Sequence, residues 1–512
     1  MLMLRAPMTA PMLAALITLA GCAAQDAIQP RLAAVTPARL GVEGAVPAPV
    51  GQDLSPWWEA HGDARLDGMI QQALADNPNM QAAMARLRAA TAEERFARGA
   101  DMPQVQAASE LGRQRYTANG IVPKPLAGET YNSGTLRLEG SWEIDLFGKR
   151  RAELQASIGQ TRATEADVQA ARLLLSSQVA RSYVALGRLQ AQIAVWLRTL
   201  AQREEVLQLI RQRVQAGLDT TVELRQGEGA LPDARLQIEA LREQEMLGRH
   251  ALAVLTGQPP TALDTLQVPL GALRPNALPI SVPLDLLARR ADVMAARWRV
   301  EVNHQEALAA RALFYPNIDL VSYAGYNAIG LDRLLKPSSW HWGLMPAIHL
   351  PLFDGDRRLA NLQGRVSAQD AAVATYNHTV LQAVQEAVDQ LGSLQAVARQ
   401  QAEQAAAQGH ADAAYALATE RYRAGLGNYL HVLSTETAVL SQRRQAVDLQ
   451  ARALDLQFGL VRALGGSVQP TQAAQANPSA NRQLSERAPQ RTPQTEPPSM
   501  SPRVPEKSGD PA

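Results

Sequence analysis

A unit of roughly two hundred residues is written twice in this chain, and any admissible fold must hold both copies. The clearest mark is a corner. Residues 141–151 read SWEIDLFGKRR and residues 348–358 read IHLPLFDGDRR. In each, an alternating apolar stretch ends in Leu-Phe with a nearby Gly, a basic pair follows, and a long Ala/Gln/Leu-rich run begins. Other landmarks keep the same order and nearly the same spacing. Phe147 and Phe353 are 206 residues apart, and Arg151 and Arg358 are 207 apart. Arg213-Val-Gln-Ala-Gly217-Leu218 matches Arg421-Tyr-Arg-Ala-Gly425-Leu426 at 208, and Leu255-Thr-Gly257 matches Leu464-Gly-Gly466 at 209. Upstream, Met102-Pro103 matches Tyr315-Pro316 at 213. Solenoid repeats have periods of about 20–50 residues, so this is duplication of a large unit.

Each unit has one grammar. A helical stretch comes first, Leu66 to Gly99 in one copy and Leu284 to Leu313 in the other, each followed by a Pro (Pro103, Pro316) that cannot continue it. Strands follow. Over residues 136–146, Leu136, Leu138, Gly140, Trp142, Ile144 and Leu146 alternate with Arg137, Glu139, Ser141, Glu143 and Asp145, a period of two. The second copy places Trp340, Trp342, Leu344, Ile348, Leu350 and Leu352 on one face, with Pro346 predicting a bulge or an irregular strand. Weaker strands precede these, from Val105 to Leu111 and from Ile318 to Ala324. Residues 113–133 and 327–339, with their Gly, Pro, Asn and Lys, predict exposed loops.

Strands of about ten residues with aromatic ends suit a bilayer crossing, although a soluble sandwich would show the same alternation. Two units supply four strands, and membrane barrels begin at about eight. An open edge in lipid leaves unpaired backbone groups at several kcal/mol each, so strands that enter a membrane must be pooled from several chains. Three chains would give twelve strands and four would give sixteen.

Long helices follow each strand pair. No proline occurs from Lys149 to about Gln215, and Gly217 is placed to cap that run. Thr220-Thr-Val-Glu223 predicts a capping box for a return helix, which Pro232, Gly227 and Gly229 predict to be kinked. The second copy runs from Asp356, turns at Gly425, uses Asn428 as N-cap and returns to Leu464. Only 19% of residues are charged, and Ala and Gln are heavily used, which favours close helix packing through small side chains.

Together these features resemble the TolC-type outer-membrane factors, in the OprM/NodT-like lipoprotein branch that serves efflux pumps. The resemblance covers about Trp57 to Gly466. It rests on Trp57-Trp58, Asp63, Leu66, Ile70, Ala73-Leu74 and Asn77-Pro78, and on the SWEIDLFGKRR corner. It rests also on Leu287-Ala-Arg-Arg-Ala291-Asp292-Val293, where the family usually has Pro at Ala291, and on Phe314-Tyr-Pro316-Asn-Ile and Pro351-Leu-Phe-Asp-Gly355. It implies a mainly α fold with membrane β: a homotrimer whose twelve pooled strands form an outer-membrane barrel, continued by a periplasmic α-helical barrel. Such a chain is the passive exit duct of a tripartite pump, partnered by a periplasmic adaptor and an inner-membrane transporter. The resemblance implies adaptor docking at the helical tips, with Arg213, Gly217, Leu218, Arg421, Tyr422, Gly425 and Leu426 as candidates. It places a periplasmic gate at Leu430, His431 and Ser434. There the family often has Tyr-Leu-Asp-Val-Leu-Asp and this chain has Tyr429-Leu-His-Val-Leu-Ser434, so both acidic positions are replaced. Imidazoles gain charge in mildly acidic solution, so a ring of His431 side chains would make such a gate pH-sensitive.

The ends complete the organisation. Residues 1–21 read as an export signal, with Arg5, an apolar core and Leu19-Ala20-Gly21 leading to Cys22, the chain's one cysteine. That pattern resembles a bacterial lipobox, which implies lipidation of Cys22 and anchoring in outer-membrane lipid; no internal disulfide is possible. Residues 22–55 predict an extended N-terminal segment, 56–257 and 284–466 the two repeats, and 258–283 a linker belting the helices. Residues 467–512, poor in large apolar side chains, predict disorder. A net charge of +1 gives no electrostatic case for nucleic acid. No HExxH, GxxxxGK[ST] or GxSxG motif supports an enzyme, a metal site or a cofactor other than the lipid. The competing expectation is a lipid-anchored periplasmic coiled-coil scaffold without a pore, which would have no use for four alternating strands.

Overall fold

A computed structural model describes residues 28–35, 56–274 and 290–466. The signal segment, Cys22, linker residues 275–283, residues 284–289 of the second repeat and the tail from residue 467 lie outside the described residues. Two short helices open the first repeat, α1 (Ala64–Asp76) and α2 (Pro78–Ala100). Strands β1 (Gln104–Arg115) and β2 (Thr130–Glu143) follow, then α3 (Lys149–Gln215) and α4 (Thr221–Leu255). The second repeat runs α5 (Ala291–Ala312), β3 (Asn317–Ile329), β4 (Trp340–His349), α6 (Arg357–Arg423) and α7 (Tyr429–Ala463). Both α3 and α6 have 67 residues and α4 and α7 have 35, so duplication extends to element length. At about 1.5 Å per residue each long helix approaches 100 Å.

The four strands form one antiparallel sheet in sequence order. Its inner junction joins the repeats, β2 against β3, and leaves β1 and β4 as free edges within one copy. Pro346 makes no bulge, contrary to the sequence expectation: β4 pairs in unbroken register from Asn317↔His349 to Tyr326↔Trp340. The reason is the alternation of an antiparallel ladder. Ile144 N–H donates to the Ile318 carbonyl at 2.9 Å, so even-numbered β3 residues turn their backbone polar groups to β2. Pro346, opposite Leu320, therefore stands in a non-hydrogen-bonded pair, and its missing N–H lies on the free edge of β4.

Three further expectations are refined. The first helix is broken at Asn77, whose side chain caps α2 by accepting from Asn79 N–H and donates to the Leu255 carbonyl at 3.0 Å. Helix α4 continues unbroken through Pro232; the carbonyl of Ala230, two residues before the proline, accepts from Arg203 Nη1 at 2.7 Å. The helix ends place Thr256 and Leu464 at equivalent caps, so Gly257 (φ 72°) corresponds to Gly465 (φ 81°) rather than to Gly466.

The main core sits midway along the helices. Trp57, Leu66, Ile70, Tyr183, Leu252 and Phe458 meet there, joined by Val268 and Leu270 of the linker. A Cβ on Gly187 would stand 2.7 Å from Val268, so glycine lets the linker seat against α3. Val268 and Leu270 thus lie against the helices, and Gln190 donates to the Leu266 carbonyl at 2.8 Å. Small residues set the α3–α5 approach as well, with Ala152, Ala156 and Ala163 buried and Val302 against Gly159. Residues 28–35 run along α6: Asp370 Oδ1 accepts from the N–H groups of Arg31 and Leu32, and Asn377 bonds Val35 N–H and the Ala33 carbonyl.

Candidate conduit: a two-faced sheet and a clamped tip

The register sorts the sheet into two faces. Val105 and Leu111 of β1, Leu136, Leu138 and Trp142 of β2, and Ile318, Leu320 and Tyr326 of β3 share one. Trp340, Trp342, Leu344 and Ile348 of β4 join them. Most are exposed, Trp342 at 70% and Leu138 at 57%, which water would penalise by roughly 25 cal/mol per Å2 of apolar surface. The opposite face carries Gln106, Glu110, Arg137, Glu139, Asp319, Tyr323, His341 and His349. Its centre is organised. Arg137 pairs with Glu139 at 2.5 Å, Gln106 donates to Glu139 at 2.8 Å, and Tyr323 lies between the Arg137 guanidinium and His341. Aromatic groups mark both ends of the apolar face: Trp142 donates to the Asp101 carbonyl near the helices, and Tyr326 meets Trp340 at 5.4 Å near the loops. Apolar outside, polar inside and aromatic at both rims is the pattern of a membrane barrel wall. No described helix is long and apolar enough to cross a membrane, so any crossing by the described residues falls to this sheet.

The repeated corners hand the strands to the long helices. Asp145 accepts from Arg151 N–H at 2.9 Å, and Asp354 accepts from Arg358 N–H at 3.1 Å, each capping a helix start. The chain reverses through left-handed backbone at Gly148 (φ 79°) in one copy and at Gly355 and Asp356 (φ 61° and 65°) in the other. In the first corner, Lys149 and Arg150 both pair with Glu143.

At the far ends, both hairpins turn alike. Leu218 N–H reaches the Arg213 carbonyl and Leu426 N–H reaches the Arg421 carbonyl, each at 2.8 Å, with Gly217 and Gly425 left-handed. Thr220 forms the expected capping box with Glu223, and Asn428 accepts from His431 N–H at 3.1 Å. The docking candidates divide in two. Gly217, Leu218, Arg421, Gly425 and Leu426 are exposed at the turns, whereas Tyr422 is fully buried and Arg213 nearly so. Arg213 donates to Asp219 at 2.9 Å and to the Tyr422 carbonyl at 3.0 Å, and its guanidinium lies 4.6 Å from the Tyr422 ring centre. The Tyr422 hydroxyl donates to the same Asp219 carboxylate. Asp219, absent from the sequence candidates, is thus the hub joining the two tips. The signal was its place beside Gly217-Leu218, where the second repeat has Gly427. Burial works against its ionisation, but the Arg213 and Tyr422 hydrogen bonds outweigh this and hold its carboxyl below the usual range. Burial, then the hydrogen bond to Asp219, pushes the Tyr422 phenol up.

The gate candidates sit on the first turns of α7. Leu430, His431 and Ser434 are exposed, and the Ser434 hydroxyl donates to the His431 carbonyl. Beneath them Val432 and Tyr429 pack with Ile210 and Tyr422. One layer further in, Arg203 links α3, α4 and α7 through Glu436 at 2.7 Å and Asp233 at 3.4 Å. Among the described residues no group of three or more His, Cys, Asp or Glu could hold a metal.

Comparisons with known proteins agree with this geometry. The family model described as "Outer membrane efflux protein" matches residues 69–258 and 282–466. The multidrug resistance outer membrane protein MdtQ of Escherichia coli O157:H7 is 31% identical over 88% of this chain and 96% of its own. The fusaric acid resistance protein FusA of Burkholderia cepacia is 36% identical over 68% and 67%. Among solved structures, the outer membrane protein VceC of Vibrio cholerae aligns with a TM-score of 0.77 at 33% identity, over 81% of this chain and 99% of that one.

Proposed function

This chain belongs to the outer membrane efflux protein family, and we propose on that premise that three copies pool their sheets and hairpins into one continuous duct. The protein is an outer-membrane efflux channel with a TolC-like fold. The observation that carries the assembly is the sheet: four strands with one apolar and one polar face and two unpaired edges. Four strands cannot close, and twelve from three copies bury every edge while turning the polar face to the lumen. Transport through such a duct needs no bond chemistry, and the energy comes from an inner-membrane transporter joined through a periplasmic adaptor. The adaptor would meet the exposed Leu218 and Leu426 turns, with Arg213 and Tyr422 fixing those turns from behind.

Lipidation at Cys22 fits the path of residues 28–35. Ile28 packs against the cluster of Ala307, Ala310, Leu362 and Val366, at the sheet end of α5 and α6, and Val35 lies by Asn377, farther from the sheet. Cys22 precedes Ile28 by six residues, a span of at most about 20 Å. Several acyl chains would add an anchor to the barrel.

Native mass of the detergent-extracted protein, taken from separated inner and outer membranes, tests this reading. A heat-labile trimer in the outer-membrane fraction is expected. A monomer, or a protein freed by removing only its lipid anchor, would overturn the pooled barrel and favour the scaffold.

A further inference from the structure

Beside the sheet the helices form a wall in which α2 packs on α3, α3 on α5 and α5 on α6. Copies that pool such walls meet at α2 and α6, so the α3–α5 seam stays in the middle of each copy. An open pocket of about 530 Å3 lies on that seam at its sheet end. Phe147, Arg151 and Gln155 line it from the first corner and α3, and Leu308, Arg311 and Tyr315 line it from α5 and the residues after it. Among the described residues, no carboxylate lines it.

The two arginines differ in what holds them. Arg151 is exposed, and only its backbone N–H is engaged, by Asp145; its guanidinium has no hydrogen bond or ion pair among the described residues. Arg311 is half-buried, and its Nη2 donates to the Ile28 carbonyl at 2.9 Å and to Gln29 Oε1 at 3.2 Å. A chain tied to lipid at Cys22 must run outside the duct, so Arg311 marks the outer face of the wall. The other face of the same helix pair has the opposite character. Glu306 stands about 140° around α5 from Arg311, pairs with Arg365 and shares a separate pocket with Glu153. Unpaired positive charge therefore gathers on the outer side, and the carboxylates gather on the inner one.

Height in the membrane adds a second, independent observation. Trp142, bonded to the Asp101 carbonyl, marks the helix end of the apolar sheet face. Five residues later Phe147 stacks on Tyr315, with centroids 4.9 Å apart and planes 9° from parallel. The rings stay 43% and 39% exposed, and Leu308 beside them is 37% exposed. Apolar surface thus continues past the aromatic rim to the two guanidiniums, at the level where a bilayer passes from hydrocarbon to headgroups.

Resting on the channel reading above, we propose that this shelf binds a phospholipid of the surrounding membrane, with Arg151 and Arg311 on its phosphate and its glycerol and upper acyl carbons over Phe147, Tyr315 and Leu308. The guanidinium fork matches phosphate oxygens in shape and charge. Two cations without a carboxylate in the lining favour an anionic headgroup over a zwitterionic one. A bound lipid also ties the first corner to residues 28–35, because Arg311 holds both.

Native mass spectrometry of the full-length trimer, stripped of lipid in detergent and then mixed with phosphatidylglycerol, tests the site. The unmutated trimer should retain phosphatidylglycerol at one site per copy and hold phosphatidylcholine more weakly. Arg151→Gln should lower the affinity for phosphatidylglycerol by about tenfold, the scale of one charged hydrogen bond. Arg151→Lys should restore most of it. Arg198→Gln, the same change about 70 Å down α3, should leave it unaltered. Gln155→Glu brings a carboxylate to the shelf and should also weaken binding, which covers any failure of Arg151→Gln to assemble. Equal retention by the unmutated, Arg151→Gln and Gln155→Glu trimers overturns the site, as does an equal loss in Arg198→Gln. Displacement of the lipid by millimolar inorganic phosphate overturns the lipid assignment and leaves a site for free anions. A monomeric native mass for the unmutated protein overturns the channel reading itself.

Discussion

Arg213 holds three things at once: the Asp219 carboxylate, the Tyr422 carbonyl and the face of the Tyr422 ring. Its side chain and that of Asp219 are both about nine-tenths buried, so the pair cannot fall back on water. Asp219→Ala strands a buried guanidinium and should cost about 3 kcal/mol of stability in chemical unfolding. Tyr422→Phe removes one hydrogen bond to the carboxylate and should cost about 1 kcal/mol. Both should raise conductance in planar bilayers if the clamp holds the tips together; unchanged conductance would separate the clamp from gating. The pH dependence has a definite sign. Asp219 titrates lower in the folded protein than its ordinary value, so its stabilisation is complete above about pH 4 and is lost as pH falls through the lower folded value. Asp219 therefore gives the tip no pH dependence between pH 5 and 8. Conductance of His431→Ala in planar bilayers tests the gate position itself: a change is expected, and a value equal to that of the unmutated channel would remove His431 from the gate.

Elements were legible in proportion to how local their signals are. Period-two alternation and proline-free length marked the strands and the 67-residue helices, and Gly217, Thr220 and Asn428 marked the caps. These features depend on neighbours within a turn or a pleat. What escaped depends on partners far along the chain. Asn77 breaks a helix and ties its end to Leu255, 178 residues away, and Arg213 reaches Tyr422 at a separation of 209. Pro346 looked disruptive because a sequence does not reveal which backbone groups of a strand face a partner. The N-terminal strap is another long-range element, since Asp370 and Asn377 sit well over three hundred residues from the backbone they hold. Its bonds are exposed or half-buried and should be worth about 1 kcal/mol each. Asp370→Ala with Asn377→Ala should free the strap, and trypsin should then cut after Arg31 at least several-fold faster. An unchanged cleavage rate would mean that Ile28, packed against Ala307, Ala310, Leu362 and Val366, holds the segment alone.

For the whole molecule the decisive variable is which solvent each sheet face meets. Leu138 and Glu139 are neighbours in β2, yet in a barrel one faces hydrocarbon and the other faces water. A cation in the middle of a lipid-facing strand costs roughly 2–4 kcal/mol, and three copies carry three of them. Leu138→Arg should therefore reduce assembled protein in the outer-membrane fraction by more than tenfold. Glu139→Gln leaves the outer surface untouched. It removes the anion that pairs with Arg137 and should shift ion selectivity toward anions at near-normal assembly. The contrast separates the two architectures that share these helices and this anchor. A scaffold outside the membrane would gain solubility from Leu138→Arg, because an exposed leucine would become an exposed cation. A duct would lose its barrel from the same change, so assembly of these two neighbours as single variants distinguishes lipid from water on the apolar face.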